Sequence, residues 1–350
     1  MDSHVAAAQA GSGAAAGTEP APEPGSKTLP AQAVRILHIS DTHMLHRQIE
    51  ERFPLGLPAA DILIHTGDWS ENGTEEENAD FDEWLASIAP RYKHVVVIAG
   101  NHEWRGLQQG NAAMIDAAKD PKKHIVSSLP SLRPGIDYVL EHEGVTLCGI
   151  NIYGCSWEPG ASASNPDKVG QQEGFQQVWH NACAAKGGTL LSPADVYERV
   201  PPDVDILLTH GPPDGIFDQL ENTPSCWGSS EALRKAVEVK RPGAHLFGHL
   251  HEQRGVWHRP NPGVAWSGGT EYEIRPGSGN PIGTWPAPPT DYPGTLISCN
   301  AMKNHKGLEG VSEGCIAAGG RLITATQVQG ARKPAPWADG GTSVWHFAPS

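Results

Sequence analysis

The sequence predicts an α/β layered fold, and two observations carry that reading. From Val34 onward, short apolar strand-like runs alternate with helix-like segments, a pattern of sheets layered with helices rather than an all-β sandwich. Five of these runs end in short polar motifs: Asp41-Thr42-His43, Gly67-Asp68, Gly100-Asn101-His102-Glu103, Thr209-His210-Gly211 and Gly248-His249-Leu250-His251. In open α/β sheets the loops leaving the carboxyl ends of strands converge on one crevice, so these distant motifs should meet in space.

The elements follow in order. Val34–Ser40 and Asp61–Thr66 are compact apolar runs, and Val95–Ala99 is almost wholly β-branched, which suits a strand buried on both faces. Between the last two, Thr74 and Glu77 form a capping-box pair. Phe81, Trp84, Leu85 and Ile88 then recur at helical spacing, and Pro90 lies just past the end. Val145–Ile152, Asp205–Thr209 and Ala244–Phe247 read as further strands. Ser192-Pro193 is a good helix start, with Pro at the first helical position. Another helix begins near Ser229 or Ser230 and puts Leu233, Ala236 and Val237 on one side. The Gly-, Ser-, Asn- and Gln-rich stretch from Glu158 to Lys186 reads as a long surface excursion. Over residues 254–294, crowded with Gly, Pro and Trp, regular structure is hard to read, while Thr295–Asn300, Arg321–Gln327 and Ser343–Phe347 look like short strands completing a sheet.

Residues 1–32, rich in Ala, Gly, Pro and Ser without hydrophobic period, read as a disordered tail. Residues 33–350 then form one domain, with a motif core over 34–252 and a segment over 253–350 that completes sheet and pocket rim. The tail lacks a basic stretch followed by an apolar one, and no run approaches the roughly 18 apolar residues of a membrane span, so a soluble, cytoplasmic protein is expected. The formal charge of −14, from 26 basic and 40 acidic residues, disfavours a broad basic surface for nucleic acid. It leaves room for a small phosphorylated ligand, because bound cations reverse the local sign. Six cysteines show no CxxC or framework spacing and read as reduced thiols.

The motifs together supply carboxylates, imidazoles and one amide oxygen, the donors that suit two adjacent divalent cations. Two cations about 3.5–4 Å apart need a shared carboxylate, and Asp68 follows a glycine that lets the chain turn sharply. With no thiolate in the set, Mn²⁺, Fe²⁺ and Zn²⁺ are all compatible, and Mg²⁺ is less suited to several imidazoles. A hydroxide bridging the cations is the expected nucleophile, attacking phosphorus in line with the leaving alkoxide.

In this order the motifs resemble those of the calcineurin-like metallophosphoesterase superfamily: DxH, GD, GNH(D/E), H and GHxH. Ser40-Asp-Thr-His, His65-Thr-Gly-Asp, Ile98-Ala-Gly-Asn-His-Glu, Ile152-Tyr-Gly and Leu208-Thr-His-Gly-Pro-Pro look like the subgroup of metallophosphoesterase domain-containing proteins. The resemblance spans Val34 to Glu252. It implies a four-layer sandwich of two mixed β-sheets flanked by helices, and a metal-dependent phosphodiesterase activity that extends in the subgroup to cyclic nucleotides. It further implies that Asp41, His43 and His251 bind one metal, that Asn101, His210 and His249 bind the second, and that Asp68 bridges both. His102 matches the family's proton donor to the leaving group, a task suited to an unperturbed pKa near 6.5. Glu71 occupies the place where relatives carry an Asp paired to that histidine, with Glu103 as the competing candidate. Manganese is the first choice of metal. Trp69 follows Asp68 and no Tyr lies nearby, which argues against a tyrosinate-bound ferric ion.

Other residues divide between bland and sharp readings. His38, His65 and His245 lie inside apolar runs and read as hydrogen-bonded core residues, His65 close enough to Asp68 to support the metal site. His46, Arg47 and Trp104 follow ligand motifs on loops and are candidates for substrate contact, against solvated loop residues as the default. Trp157 and Glu158 are candidates to line a leaving-group pocket, His305 is a weaker one, and Cys155 reads as inert. A nuclease and a low-turnover metal-binding scaffold are the alternative functions; the acidic charge opposes the first and the complete ligand set opposes the second.

Overall fold

The computed structural model describes residues 33–52, 56–103, 135–155, 197–202, 204–214, 216–218, 230–251, 254–258, 270–272, 296–300, 302, 320–335 and 338–350. Two mixed sheets dominate them. The first has the order β13 (Ala338–Pro349), β12 (Arg321–Ala335), β1 (Ala33–Ile39), β2 (Ile62–His65), β3 (His94–Val97) and β4 (Tyr138–Val139). The second runs β10 (Thr270–Tyr272), β9 (Arg254–His258), β11 (Leu296–Asn300), β8 (Ala244–Phe247), β7 (Ile206–Leu208), β6 (Ile150–Gly154) and β5 (Glu143–Leu147). Strands β1 to β4 are mutually parallel, as are β6, β7, β8 and β11; the remaining pairings are antiparallel.

Strand alternation sorts the apolar residues into three layers. Ile36, Ile62, Ile64, Val96 and Ile98 of the first sheet pack with Ile152, Ile206, Leu208 and Leu246 of the second. On the outer face of the first sheet, Leu37, Leu63, Val95 and Val97 meet Phe81, Trp84, Leu85 and Ile88 of α2 (Glu75–Ile88). Each fully buried side chain of this size contributes roughly 1.5–3 kcal/mol, and the capping box of Thr74 and Glu77 is formed as the sequence predicts. On the outer face of the second sheet, Leu207, Phe247 and Ile297 meet Leu233 and Val237 of α3 (Glu231–Lys240), whose N-cap is Ser230. The layer order is therefore helix, sheet, sheet, helix, as expected.

One expectation needs correction. The run Val145–Ile152 is not one strand: it folds into the β5–β6 hairpin, because Cys148 (φ 51°) and Gly149 (φ 81°) form a tight turn with both central residues left-handed. The segment 254–294, where the sequence leaves regular structure hard to read, supplies β9 and β10. A short helix α1 (Gln48–Arg52) and the two-residue β4 were also missed, both too short for a periodicity to show. The tail over 1–32, the Ser192-Pro193 helix start and the excursion from 158 to 186 lie outside the described residues.

Candidate metal centre

The parallel strands β1, β2, β3, β7 and β8 end at residues 39, 65, 97, 208 and 247, and each motif follows within four residues. Backbone hydrogen bonds stitch the loops together. The Asp41 amide donates to the Gly67 carbonyl (2.9 Å), His43 to Asp68 (3.0 Å) and Gly248 to His210 (3.0 Å). This meshing forces unusual conformations: Asp41 (φ 53°), His43 (φ 40°), Asp68 (φ 58°) and His249 (φ 70°) are all left-handed, four of the seven predicted ligands. Such a conformation costs a non-glycine residue roughly 1–2 kcal/mol, and it recurs here in one place. Three glycines of these loops leave no room for a side chain, among them Gly100, where a Cβ would lie 2.6 Å from the Asp68 nitrogen. Gly67 (φ 98°) passes so close that a Cβ would lie 2.6 Å from the Gly100 nitrogen, and a Cβ on Gly248 would collide with the Asp41 carboxylate and the Ser40 hydroxyl.

The side chains gather in two triads, Asp41 with His43 and His251, and Asp68 with His210 and His249, and a third grouping joins Asp68 and His43 to His102; in each, one atom per residue lies within 4.8 Å of the others. Within the first, His43 Nε2 and His251 Nε2 face each other at 2.9 Å, and His251 Nε2 is 3.3 Å from Asp41 Oδ1. Near the second, Asn101 Oδ1 is 3.0 Å from His210 Nε2. Asp68 Oδ2 stands between them, 3.2 Å from His210 Nε2 and 3.6 Å from His43 Nε2. His210 Nδ1 donates to the Thr66 carbonyl (2.7 Å), which leaves Nε2 to face the site.

The electrostatics are those of a site that wants positive charge. Burial opposes ionisation of Asp68, yet His210, His102 and His43 hold its carboxyl well below the usual range. Burial equally opposes protonation of His210, but the Asp68 carboxylate outweighs it and pushes the imidazole up to about 9. His249 is driven down to about 3 by burial and then by His210, so it presents a neutral ring. The donor set fits divalent cations. A hydrogen bond between His43 and His251 takes one ring nitrogen as donor and the other as acceptor, whereas a cation takes a lone pair from each, as it does from the neighbouring carboxylate.

His102 lies at the edge of this cluster, its Nδ1 donating to the Glu71 main-chain carbonyl at 2.6 Å and its Nε2 3.8 Å from Asp68 Oδ2. The Glu71 carboxylate is farther, 3.9 Å from His102 Nδ1 and 3.6 Å from His43 Nδ1. Glu103 makes no such contact. Its carboxylate receives the amides of Asp68 (2.8 Å), Ser70 (2.9 Å) and Gly100 (2.7 Å) and the Ser70 hydroxyl (2.7 Å), tying the β2 and β3 loops together. His102 therefore donates to a main-chain oxygen, which no side-chain pattern encodes. Ser40, not singled out from the sequence, donates to Asp41 Oδ2, and its position just before that ligand was the available signal.

The loop residues proposed for substrate are engaged elsewhere. His46 is buried against Trp84 and Phe81, with Nε2 2.8 Å from Asp80 Oδ2, and Arg47 pairs with Asp80 and Glu83 of α2. The acidic face of α2 captures both, because the loop after β1 runs directly over it. Trp104, Trp157, Glu158 and His305 lie outside the described residues.

Fold, motif order and the paired triads define a metallophosphoesterase, and the chain belongs to the calcineurin-like phosphoesterase family, which it matches over residues 34–253. It is 32% identical over 242 residues to human metallophosphoesterase domain-containing protein 1, covering 67% of this chain and 66% of that protein. A UPF0046 protein of Caenorhabditis elegans is 31% identical over 226 residues, covering 64% of this chain and 65% of the relative. The chain thus spans just under two thirds of the length of these relatives. Among solved structures, phosphopantetheinyl hydrolase from Mycobacterium tuberculosis gives a TM-score of 0.37 at 14% identity, over 64% of this chain and 85% of that one. No helix among the described residues is long and apolar enough to cross a membrane.

Proposed function

We propose that this protein is a dinuclear metal-dependent phosphodiesterase acting on small phosphodiesters, cyclic nucleotides among them. The observation that carries the reading is the place of Asp68: one carboxylate oxygen faces His210 of one triad and His43 of the other. A single carboxylate shared by two ligand sets is what two neighbouring cations require.

In this reading Asp41, His43 and His251 hold one cation, Asn101, His210 and His249 hold the other, and Asp68 serves both. When bound, the two cations supply Lewis acidity toward phosphoryl oxygens and lower the pKa of a water towards neutrality. The chain's own residues do the rest. The hydrogen bond from His102 Nδ1 to the Glu71 carbonyl fixes the ring, so Nε2 is the atom that delivers a proton to the leaving alkoxide. The left-handed backbones of Asp41, His43, Asp68 and His249 set the directions in which these four side chains leave their loops. Manganese is the proposed metal, on the nitrogen and oxygen donors and the absence of thiolate among them.

The test is a substrate panel on protein of measured metal content. Mn²⁺-loaded protein should hydrolyse bis-p-nitrophenyl phosphate and 2′,3′- or 3′,5′-cyclic nucleotides faster than p-nitrophenyl phosphate. A chelator should abolish the activity and Mn²⁺ restore it. Faster cleavage of single-stranded oligonucleotides would instead indicate a nuclease, and a metal-free, silent protein a scaffold.

A further inference from the structure

Beneath the candidate metal centre lie three fully buried histidines that take no place among its ligands, and each meets a threonine at the root of a ligand loop. His65 Nε2 is 3.1 Å from Thr42 Oγ1, His38 Nε2 is 3.0 Å from Thr66 Oγ1, and His245 Nε2 is 2.9 Å from Thr209 Oγ1. Every pair spans two adjacent parallel strands. Histidines of β2 and β1 reach each other's loops reciprocally, and the histidine of β8 reaches the loop of β7. The threonines are placed to matter: Thr42 separates Asp41 from His43, Thr209 precedes His210, and the Thr66 carbonyl accepts from His210 Nδ1.

The direction of two of these bonds follows from their other partners. The Gly67 amide donates to His65 Nδ1 (3.2 Å), so that nitrogen is bare and Nε2–H donates to Thr42. Thr209 Oγ1 gives its own hydrogen to the Gly211 carbonyl (2.8 Å), so it accepts from His245 Nε2–H. His65 is therefore a neutral donor locked in one tautomer, and His245 presents Nε2–H to Thr209.

We propose that His65 and His245 are positioning residues for the metal centre, each fixing, through a neighbouring loop's threonine, the backbone that carries the ligands of one cation. The Thr42–His65 pair governs the Asp41 and His43 side, and the Thr209–His245 pair governs the His210 side. The inference rests on the two-cation reading. Outer hydrogen-bond partners of this kind are typically worth 10–100-fold in metal affinity.

The test is Mn²⁺ titration of metal-free full-length protein by calorimetry, with unfolding of the same metal-free samples followed in parallel. T42V and T209V remove only the hydroxyl. Each should weaken one of the two Mn²⁺ sites about tenfold or more, and T42S and T209S should restore it. H65Q and H245Q, which keep a donor near Nε2, should fall between and serve where a valine variant does not fold. Valine variants that lower the unfolding midpoint yet bind both ions within twofold of wild type would reduce the pairs to plain packing and overturn the inference. Wild-type protein that binds no Mn²⁺ would overturn the two-cation reading itself, a result distinct from the first.

Discussion

The carboxylate of Glu103 receives the backbone amide of Asp68 at 2.8 Å, so the residue after His102 holds the main chain of the carboxylate that faces both His210 and His43. The same carboxylate takes two further amides and a hydroxyl while buried, and burial followed by the Asp68 charge pushes it up to about 7.

Removing it should therefore cost stability before chemistry. E103A leaves three buried amides without an acceptor, at about 1–3 kcal/mol each, so urea unfolding should show a loss of about 3 kcal/mol or more. E103Q, which keeps one acceptor oxygen, should lose less. Equal stability of E103A and wild type would remove Glu103 from its role as a tie between loops.

His102 and Glu71 should separate cleanly. H102A should keep both metals, by elemental analysis, while slowing substrates with poor leaving groups by roughly 10²–10⁴-fold. E71A keeps the main-chain carbonyl that accepts from His102, so its loss should stay within about tenfold, well short of the full contribution of general acid catalysis. An E71A defect as deep as that of H102A would show that the carboxylate, not the carbonyl, orients the ring.

Gly248 tests the packing of the first triad. A methyl group there meets the Asp41 carboxylate and the Ser40 hydroxyl, so G248A should bind fewer than two metal ions per chain while its far-UV circular dichroism stays native. Full metal occupancy in G248A would show that the loop relaxes freely.

Acid should destabilise the protein through its core histidines. Burial lowers His245 to about 3, against 6.5 for the unfolded chain, so between these values the unfolded state binds the extra proton. Stability from this group is complete above pH 6.5 and falls as pH drops toward 3, by about 2 kcal/mol at pH 5. In chelator, H245Q should show a shallower fall in unfolding midpoint between pH 7.5 and 5 than wild type. Parallel curves would mean that His245 does not take up the proton.

Much of the fold and site was legible along the chain. The alternation of apolar runs and the capping box of Thr74 and Glu77 located β1, β2, β3, β7, β8, α2 and α3, because strand and helix periods are local properties. The hairpin at Cys148 and Gly149 was hidden because a turn two residues long leaves an apolar run unbroken. Arg47 and His46 looked available because a sequence places them on a ligand loop without showing that Asp80 and Glu83 lie beneath it.

The sequence by itself determined which donors exist and that each follows a strand: Asp41, His43, Asp68, Asn101, His210, His249 and His251, with His102 beside them. Only the tertiary structure decided how they are held. The left-handed backbones, the acceptor at Glu71's carbonyl, the grip of Glu103 on Asp68 and the histidine–threonine pairs below all arise where loops from different strands meet. Main-chain hydrogen bonds between such loops depend on distance in space, and residue type carries no record of it.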